Sequence, residues 1–237
     1  MAKALYLDNM RQTNFEAEVI SVKENKYIIL NQTIFYPKSG GVDCDTGKLT
    51  RISDNKIFNV VFAGKFKGEI SHEVDSEGLH EGDKIKGEID WNRRFELMRY
   101  HTAAHVLSGL FFQYDNVKVT GNEMRLGQGR IDFSFPDFDR EKIDELVTKA
   151  NEIIAQDLKI ETYHITREEL DSDPSLMKLA MSLPDSIQNI RIVDIKGFDK
   201  QPDGGCHVSH LNEIGNVEIV KIQNKGKNNR RLYFRLV

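Results

Sequence analysis

The sequence is poor in cysteine, with only Cys44 and Cys206 among 237 residues, too few for a disulfide framework in a chain of this size. A reducing compartment fits that usage and leaves Cys206 available as a candidate thiolate ligand. No apolar run approaches the roughly 20 residues a bilayer-spanning helix needs. The opening Met-Ala-Lys-Ala-Leu-Tyr-Leu-Asp has neither an apolar signal core nor transit-peptide character. A soluble, cytoplasmic protein with no membrane partner is therefore expected. Positive charge is not in surplus either: 33 Lys and Arg stand against 37 Asp and Glu, a formal charge of −4. That argues against generic coating of nucleic acid, which draws on clustered cations. Internal repeats, low-complexity linkers and a Ser/His/Asp set for nucleophilic catalysis are also missing, and no feature specifies an oligomeric state.

Against these absences stands Tyr100-His101-Thr102-Ala103-Ala104-His105, a pair of histidines four residues apart in a segment of helical periodicity. That spacing is a little over one helical turn, so both imidazoles leave one face and can converge on one ion. Met98 and Phe112 share the stripe, which turns the pair inward. Two inward histidines can equally be hydrogen-bonded core residues. The balance shifts toward a metal because the stretch Gln201 to His210, with Asp203, Gly204, Gly205, Cys206, His207 and His210, supplies further donors about a hundred residues later.

Taken in order, the chain first shows a hairpin over residues 15 to 31, turning at Glu24-Asn25. A Gly40-Gly41 loop with Pro37 follows, then strands from Lys48, over Ile57 to Phe62, Glu69 to Val74 and Lys84 to Ile89. Many short strands at close spacing predict a small N-terminal β-barrel, residues 1–90. At Asp90-Trp91-Asn92 the period changes from two to about three and a half, with Asp90 or Asn92 as the helix cap and a helix from Arg93 to about Phe112. The second domain, residues 91–237, then alternates strands with helices: strands at Lys118 to Thr120 and Gly129 to Phe135, a helix capped by Asp139, and a strand over Lys159 to Ile165. A capping box at Thr166 to Glu169 opens a short helix, a helical turn is expected over Leu176 to Met181, and strands follow over Ile190 to Ile195, Gly215 to Ile222 and Arg231 to Val237. The class is α+β, an antiparallel sheet with helices on one side. The basic run from Lys221 to Arg231 reads first as a solvated hairpin tip.

The motifs Phe35-Tyr-Pro-Lys-Ser-Gly-Gly, His101-Thr-Ala-Ala-His105, Arg130-Ile-Asp-Phe-Ser134 and Gly204-Gly-Cys-His207-Val, with Glu213-Ile-Gly215, occur together and in order. On them the chain resembles the alanyl-tRNA editing proteins of the AlaX family, which look like the editing domain of alanyl-tRNA synthetase detached from aminoacylation. The resemblance covers nearly the whole chain, including the glycine-rich barrel of the medium-length members. It implies zinc at the junction of helix and sheet, with His101, His105 and His207 as ligands. In the family the late motif usually reads Cys-x-x-x-His, and here Asp203 holds the cysteine's place. The fourth position is left to Asp203, Cys206 or water. Asp203 is set ahead because carboxylate is an acceptable zinc donor, while Cys206 and His207 are neighbours that point to opposite sides of an extended segment. Val42 stands where relatives commonly have glutamine.

The resemblance further implies a zinc-dependent deacylase acting on tRNA for alanine charged with serine, with the glycyl form second. Thr120 matches a threonine that reads the serine hydroxyl in short members. Thr120 and Asp203 are thus the candidate catalytic residues, and Gly40, Gly41, Arg93 and Arg94 the candidate substrate contacts, the arginines and the Lys225 to Arg231 tip toward phosphates. A tRNA-binding module with purely structural zinc is the alternative. A metalloprotease is disfavoured, since it wants Glu directly after the first histidine, where Thr102 stands.

Overall fold

Alternating burial builds the first half of the chain. The computed structural model describes residues 2–135, 140–180 and 183–237, and by compactness the chain divides after Leu97. The first unit holds β1 (Lys3–Ala4), β2 (Asn14–Lys23), β3 (Tyr27–Leu30), β4 (Gln32–Thr33), β5 (Gly47–Arg51), β6 (Ile57–Phe66), β7 (Glu69–Val74) and β8 (Lys84–Ile89). Six of them close into an antiparallel barrel in the order β2-β3-β7-β6-β5-β8, the return pairing of β8 with β2 removing the free edges. Val19, Ile28, Leu49, Phe58, Val60 and Ile85 fill it from the inward positions. The expected turn at Glu24-Asn25 is present, closed by Lys26 N–H on Lys23 O. Both central residues are left-handed, φ 50° and 59°, as tight hairpin turns demand.

Asp90 caps helix α1 (Trp91–Asp115) by accepting from Arg93 N at 3.1 Å. From Tyr100 to Phe111 every residue of α1 is buried, so the helix is core on all sides rather than a one-sided surface helix. The second unit adds β9 (Val119–Arg125), β10 (Gln128–Phe133), α2 (Arg140–Ala155), β11 (Ile160–Thr166), α3 (Arg167–Ser172), β12 (Asn189–Ile195), β13 (Asp199–Pro202), β14 (Val217–Asn224) and β15 (Arg230–Leu236). The class is α+β, and the antiparallel sheet expected here is built as two, β14-β15-β10-β9 and β11-β12-β13.

Helix α2 buries Ile143, Leu146, Val147, Ala150 and Ile154, the stripe its spacing predicts; Asp139, its expected cap, lies outside the described residues. The capping box of α3 is complete, Thr166 Oγ1 accepting from Glu169 N and Glu169 Oε2 from Thr166 N. The helical turn expected over Leu176 to Met181 is not formed among the described residues: a 3₁₀ turn over Pro174–Leu176 ends where it would begin, and Leu179 instead bridges to Val119; Met181 is not among the described residues.

Candidate metal centre

The spacing of His101 and His105 on α1 brings their ring centroids to 5.1 Å. The chain leaving β13 then delivers His207, whose ring lies 4.2 Å from that of His101 and 4.5 Å from that of His105. Asp203 completes the group: its Oδ1 is 3.2 Å from His207 Nε2, and its Oδ2 is 3.5 Å from His101 Nε2 and 3.8 Å from His105 Nε2. One ligand atom from each of the four lies within 4.8 Å of every other. The imidazoles are buried and the carboxylate is partly so.

The outer ring nitrogens decide what the inner ones can do. His101 Nδ1 faces the carbonyl of Cys206 at 3.3 Å; a carbonyl only accepts, so Nδ1 carries the proton and Nε2 keeps its lone pair. Thr102 Oγ1 donates to Met98 O at 2.9 Å, so toward His207 Nδ1, 3.2 Å away, it accepts. Val208 N donates to the same oxygen. His207 Nε2 is thereby also left with its lone pair facing Asp203. The Nδ1 of His105 is buried without a hydrogen-bond partner among the described residues, and its Nε2 is too far from Asp203 for a hydrogen bond.

This donor set fits a divalent ion. A tetrahedral site with bonds of about 2.0–2.1 Å has donor–donor edges of about 3.3 Å, near the separations from Asp203. Burial pushes the His207 imidazole well below its ordinary range, and the neighbouring His101 and His105 add to that. Burial acts to raise the Asp203 carboxyl, but His101, with His105 and His207, overrides it and holds the carboxyl well below the usual carboxylate range. A neutral imidazole and an ionised carboxylate are the ligand forms metal binding requires. Gly205 is fitted to the site: a Cβ there would lie 2.5 Å from His101 Cε1.

The other residues singled out in the sequence are placed as follows. Cys206 is buried and contributes its carbonyl to His101, while its thiol is outside the four-donor group. Thr120 is exposed on β9, its hydroxyl 3.2 Å from Asp132 O and 3.1 Å from Asn229 Oδ1. It falls where the β9–β10 register shifts, Gly121 pairing with Asp132 and Val119 with Phe133, which makes it the extra residue of a bulge. Gly40 and Gly41, φ 58° and 82°, form the turn between Ser39 and Val42, which exchange backbone hydrogen bonds. Val42 is buried.

Arg94 corrects the expectation of a phosphate contact. It is 1% exposed, its guanidinium paired with Asp45 and donating to Met10 O and Ile34 O. Asp45 in turn accepts from Tyr36 N, so the pair braces the loop that carries Gly40 and Gly41. Arg93 donates to Cys44 O at 2.7 Å and Asp43 Oδ2 at 2.6 Å, bracing the same loop. At the β14–β15 tip Arg230 closes the turn through Asn224 Oδ1 and Gly226 O. Arg231 makes a two-point pair with Asp132, both contacts 2.7 Å, while Lys225 and Lys227 stay exposed.

Sequence reasoning missed Thr102, Arg191 and a buried polar chain, Lys178–Asp199–Gln201–Ser108. Lys178 Nζ is 2.9 Å from Asp199 Oδ1, and Gln201 Nε2 donates to Asp199 Oδ2, to Ser108 Oγ and to the carbonyl of His105. The available signal was a charged residue inside an apolar strand run, Ile190-Arg191-Ile192.

The family described as tRNA synthetases class II (A) matches residues 2–93, and the threonyl and alanyl tRNA synthetase second additional domain matches residues 190–233, including Asp203 and His207. An alanine–tRNA ligase of Sulfurisphaera tokodaii is 33% identical over 93% of this chain, which spans 25% of that enzyme. The alanyl-tRNA editing protein AlaX-M of Methanosarcina mazei is 46% identical over the whole of this chain and 97% of its own. That of Methanosarcina barkeri is 46% identical with both chains fully covered. With such identity along its full length, the chain belongs to the AlaX-M family of alanyl-tRNA editing proteins.

Proposed function

We propose that the protein is a zinc-dependent hydrolase that clears tRNA for alanine of wrongly attached serine, with glycine as a second substrate, in the cytoplasm. Water is added across the aminoacyl ester, and the free amino acid and tRNA are released. The observation that carries this reading is the convergence of His101, His105, His207 and Asp203, in a chain whose relatives are named for alanyl-tRNA editing. Three nitrogen donors and one oxygen donor suit zinc. A zinc ion held there supplies a Lewis acid for the ester carbonyl or an anchor for the amino group. The chain's own part is to keep the imidazoles of His101 and His207 in the tautomer that offers Nε2, and Asp203 ionised. An aminoacyl ester is already reactive, so no nucleophilic side chain is required.

Serine is selected over alanine by a hydroxyl partner, which we assign to Thr120. Its place in a bulge supports this, since bulges re-aim side chains and concentrate beside active sites. The exposed Lys225 and Lys227 are our phosphate contacts. Hydrolysis of seryl-tRNA for alanine, before and after chelation and after return of zinc, tests the reading: turnover lost and restored supports it. One specific feature favours the alternative of structural zinc, namely that four protein donors close a tetrahedral shell. Fully loaded, folded protein without turnover would decide for that alternative.

A further inference from the structure

We propose that Arg191 is the positioning residue of the metal centre, holding the Asp203 carboxylate in the ligand set through the backbone of the turn that follows β13. The inference rests on the metal reading of the site. Arg191 lies on β12, next to Ile192, which pairs with Pro202, so the strand ladder ends where the Asp203 turn begins. Asp203 N donates to Arg191 O at 3.0 Å. The Arg191 guanidinium returns to the same residue, Nη1 donating to Asp203 O at 2.9 Å and to Gly205 O at 3.0 Å. Gly205 N then donates to Asp203 Oδ1.

The turn is thus gripped at both ends, and the carboxylate is fixed from within it. Arg191 is only 8% exposed, and a charged side chain is kept in such a place when its donors are used. The carbonyls it satisfies belong to residues beyond the end of β13, where no strand pairs with them among the described residues. Gly205 cannot shift inward, because His101 Cε1 and Nδ1 lie 2.5 and 2.8 Å from where its Cβ would be. Loss of the guanidinium leaves two carbonyls to find other donors, and the turn can relax only by moving outward with Asp203. The three imidazoles come from α1 and from His207 beyond the turn, so the fault falls on the carboxylate. Lysine cannot stand in fully, as its ammonium is a mobile point charge on a flexible stem, without the rigid guanidinium plane that fixes Nη1 between the two carbonyls.

The test is zinc affinity of the metal-free protein, measured by competition with a chromophoric chelator, for wild type, Arg191→Lys, Arg191→Gln, Asp203→Ala and the Arg191→Gln/Asp203→Ala double variant. Partners behind a ligand change metal affinity by about 10- to 100-fold. Arg191→Gln is expected to lose that much and Arg191→Lys less. In the Asp203→Ala background Arg191→Gln should lose almost nothing more, because its effect acts through that carboxylate. A merely structural arginine would lower melting temperature equally in both backgrounds without this non-additivity. Affinity within twofold of wild type in Arg191→Gln, or full additivity in the double variant, overturns the assignment. If Arg191→Gln does not fold, Arg191→Lys at wild-type affinity overturns it and a partial loss supports it. Absence of zinc binding by the wild type would instead show that the metal reading itself has failed, and would remove the proposal with it.

Discussion

The hydroxyl of Thr102 lies 3.2 Å from Nδ1 of His207 and, because it already donates to Met98 O, it can only accept the imidazole proton. One threonine therefore fixes which nitrogen of a histidine on the other side of the site can meet a metal. Thr102→Val keeps the shape and removes the acceptor, leaving His207 Nδ1–H and Val208 N–H without it. Zinc affinity should fall by about tenfold and stability by about 1–3 kcal/mol, while Thr102→Ser should recover most of both. Chelator competition and thermal unfolding measure the two losses. Unchanged affinity in Thr102→Val would mean that the tautomer is held by something else.

The ligand assignment makes a sharper claim. His101→Ala and His105→Ala should each abolish zinc retention and deacylation, since each removes one of three nitrogen donors. Asp203→Ala should weaken zinc binding more than Cys206→Ala, because only the carboxylate belongs to the donor group. Elemental analysis of purified variants reads this directly. Stoichiometric zinc in either histidine variant, or the reverse order for Asp203 and Cys206, would refute it.

Thr120→Val tests the proposed choice of serine over alanine. A pocket that admits serine also admits alanine, so the discrimination has to come from a hydroxyl that is satisfied by one and left unpaired by the other. Seryl-tRNA hydrolysis should drop by the worth of one hydrogen bond, about 1–3 kcal/mol in the barrier, with alanyl-tRNA hydrolysis unchanged or faster. The ratio of the two rates is the measurement. If it does not move, Thr120 is only the bulge residue that bonds Asp132 O and Asn229 Oδ1.

What could be read in the sequence was local. The strands expected over Glu69–Val74 and Lys84–Ile89 are the observed ones, and the change of period at Asp90 marked the start of α1 because both signals lie within a few residues. The split of the second unit into two sheets was hidden, since it depends on which distant strands pair. The arginines show the same limit. Sequence displays their charge but not their partners, and Arg94 meets Asp45 49 residues away while Arg231 meets Asp132 99 residues away. Charges that look available to phosphate are spent inside the fold. The four-donor centre was legible in part because one half of it, His101 and His105, is a single helical turn. That Asp203 rather than Cys206 faces the imidazoles depends on how the turn after β13 is folded, which no spacing rule specifies.

Lys178 and Asp199 form a buried pair, 5% and 8% exposed, with Lys178 also donating to Ser175 O and Lys200 O. Lys178→Met should cost about 3–5 kcal/mol, because it strands a buried carboxylate. Replacing both partners by apolar residues should cost less than that single change. Urea unfolding of the single and double variants checks the order, and a double variant less stable than Lys178→Met would show that the pair is not the unit that matters.

His72 sets an acid limit on the barrel. It is fully buried between β3 and β6 neighbours, Nδ1 donating to Ile28 O at 3.0 Å and Nε2 accepting from Thr33 Oγ1 at 2.9 Å, so the neutral ring has both nitrogens satisfied. Burial pushes its pKa down to about 4. The sign follows from proton binding: between pH 6.5 and about 4 the unfolded chain binds a proton that the folded barrel refuses, so stability is present above 6.5 and is lost as pH falls through that window. With about 1.36 kcal/mol for each pKa unit, the loss by pH 4 is about 3 kcal/mol from this residue alone. Unfolding free energies of wild type and His72→Gln, measured in urea between pH 7 and 4, isolate it: the variant starts less stable, and its pH slope should be flatter by one proton over that range. Parallel slopes would show that His72 does not set the limit.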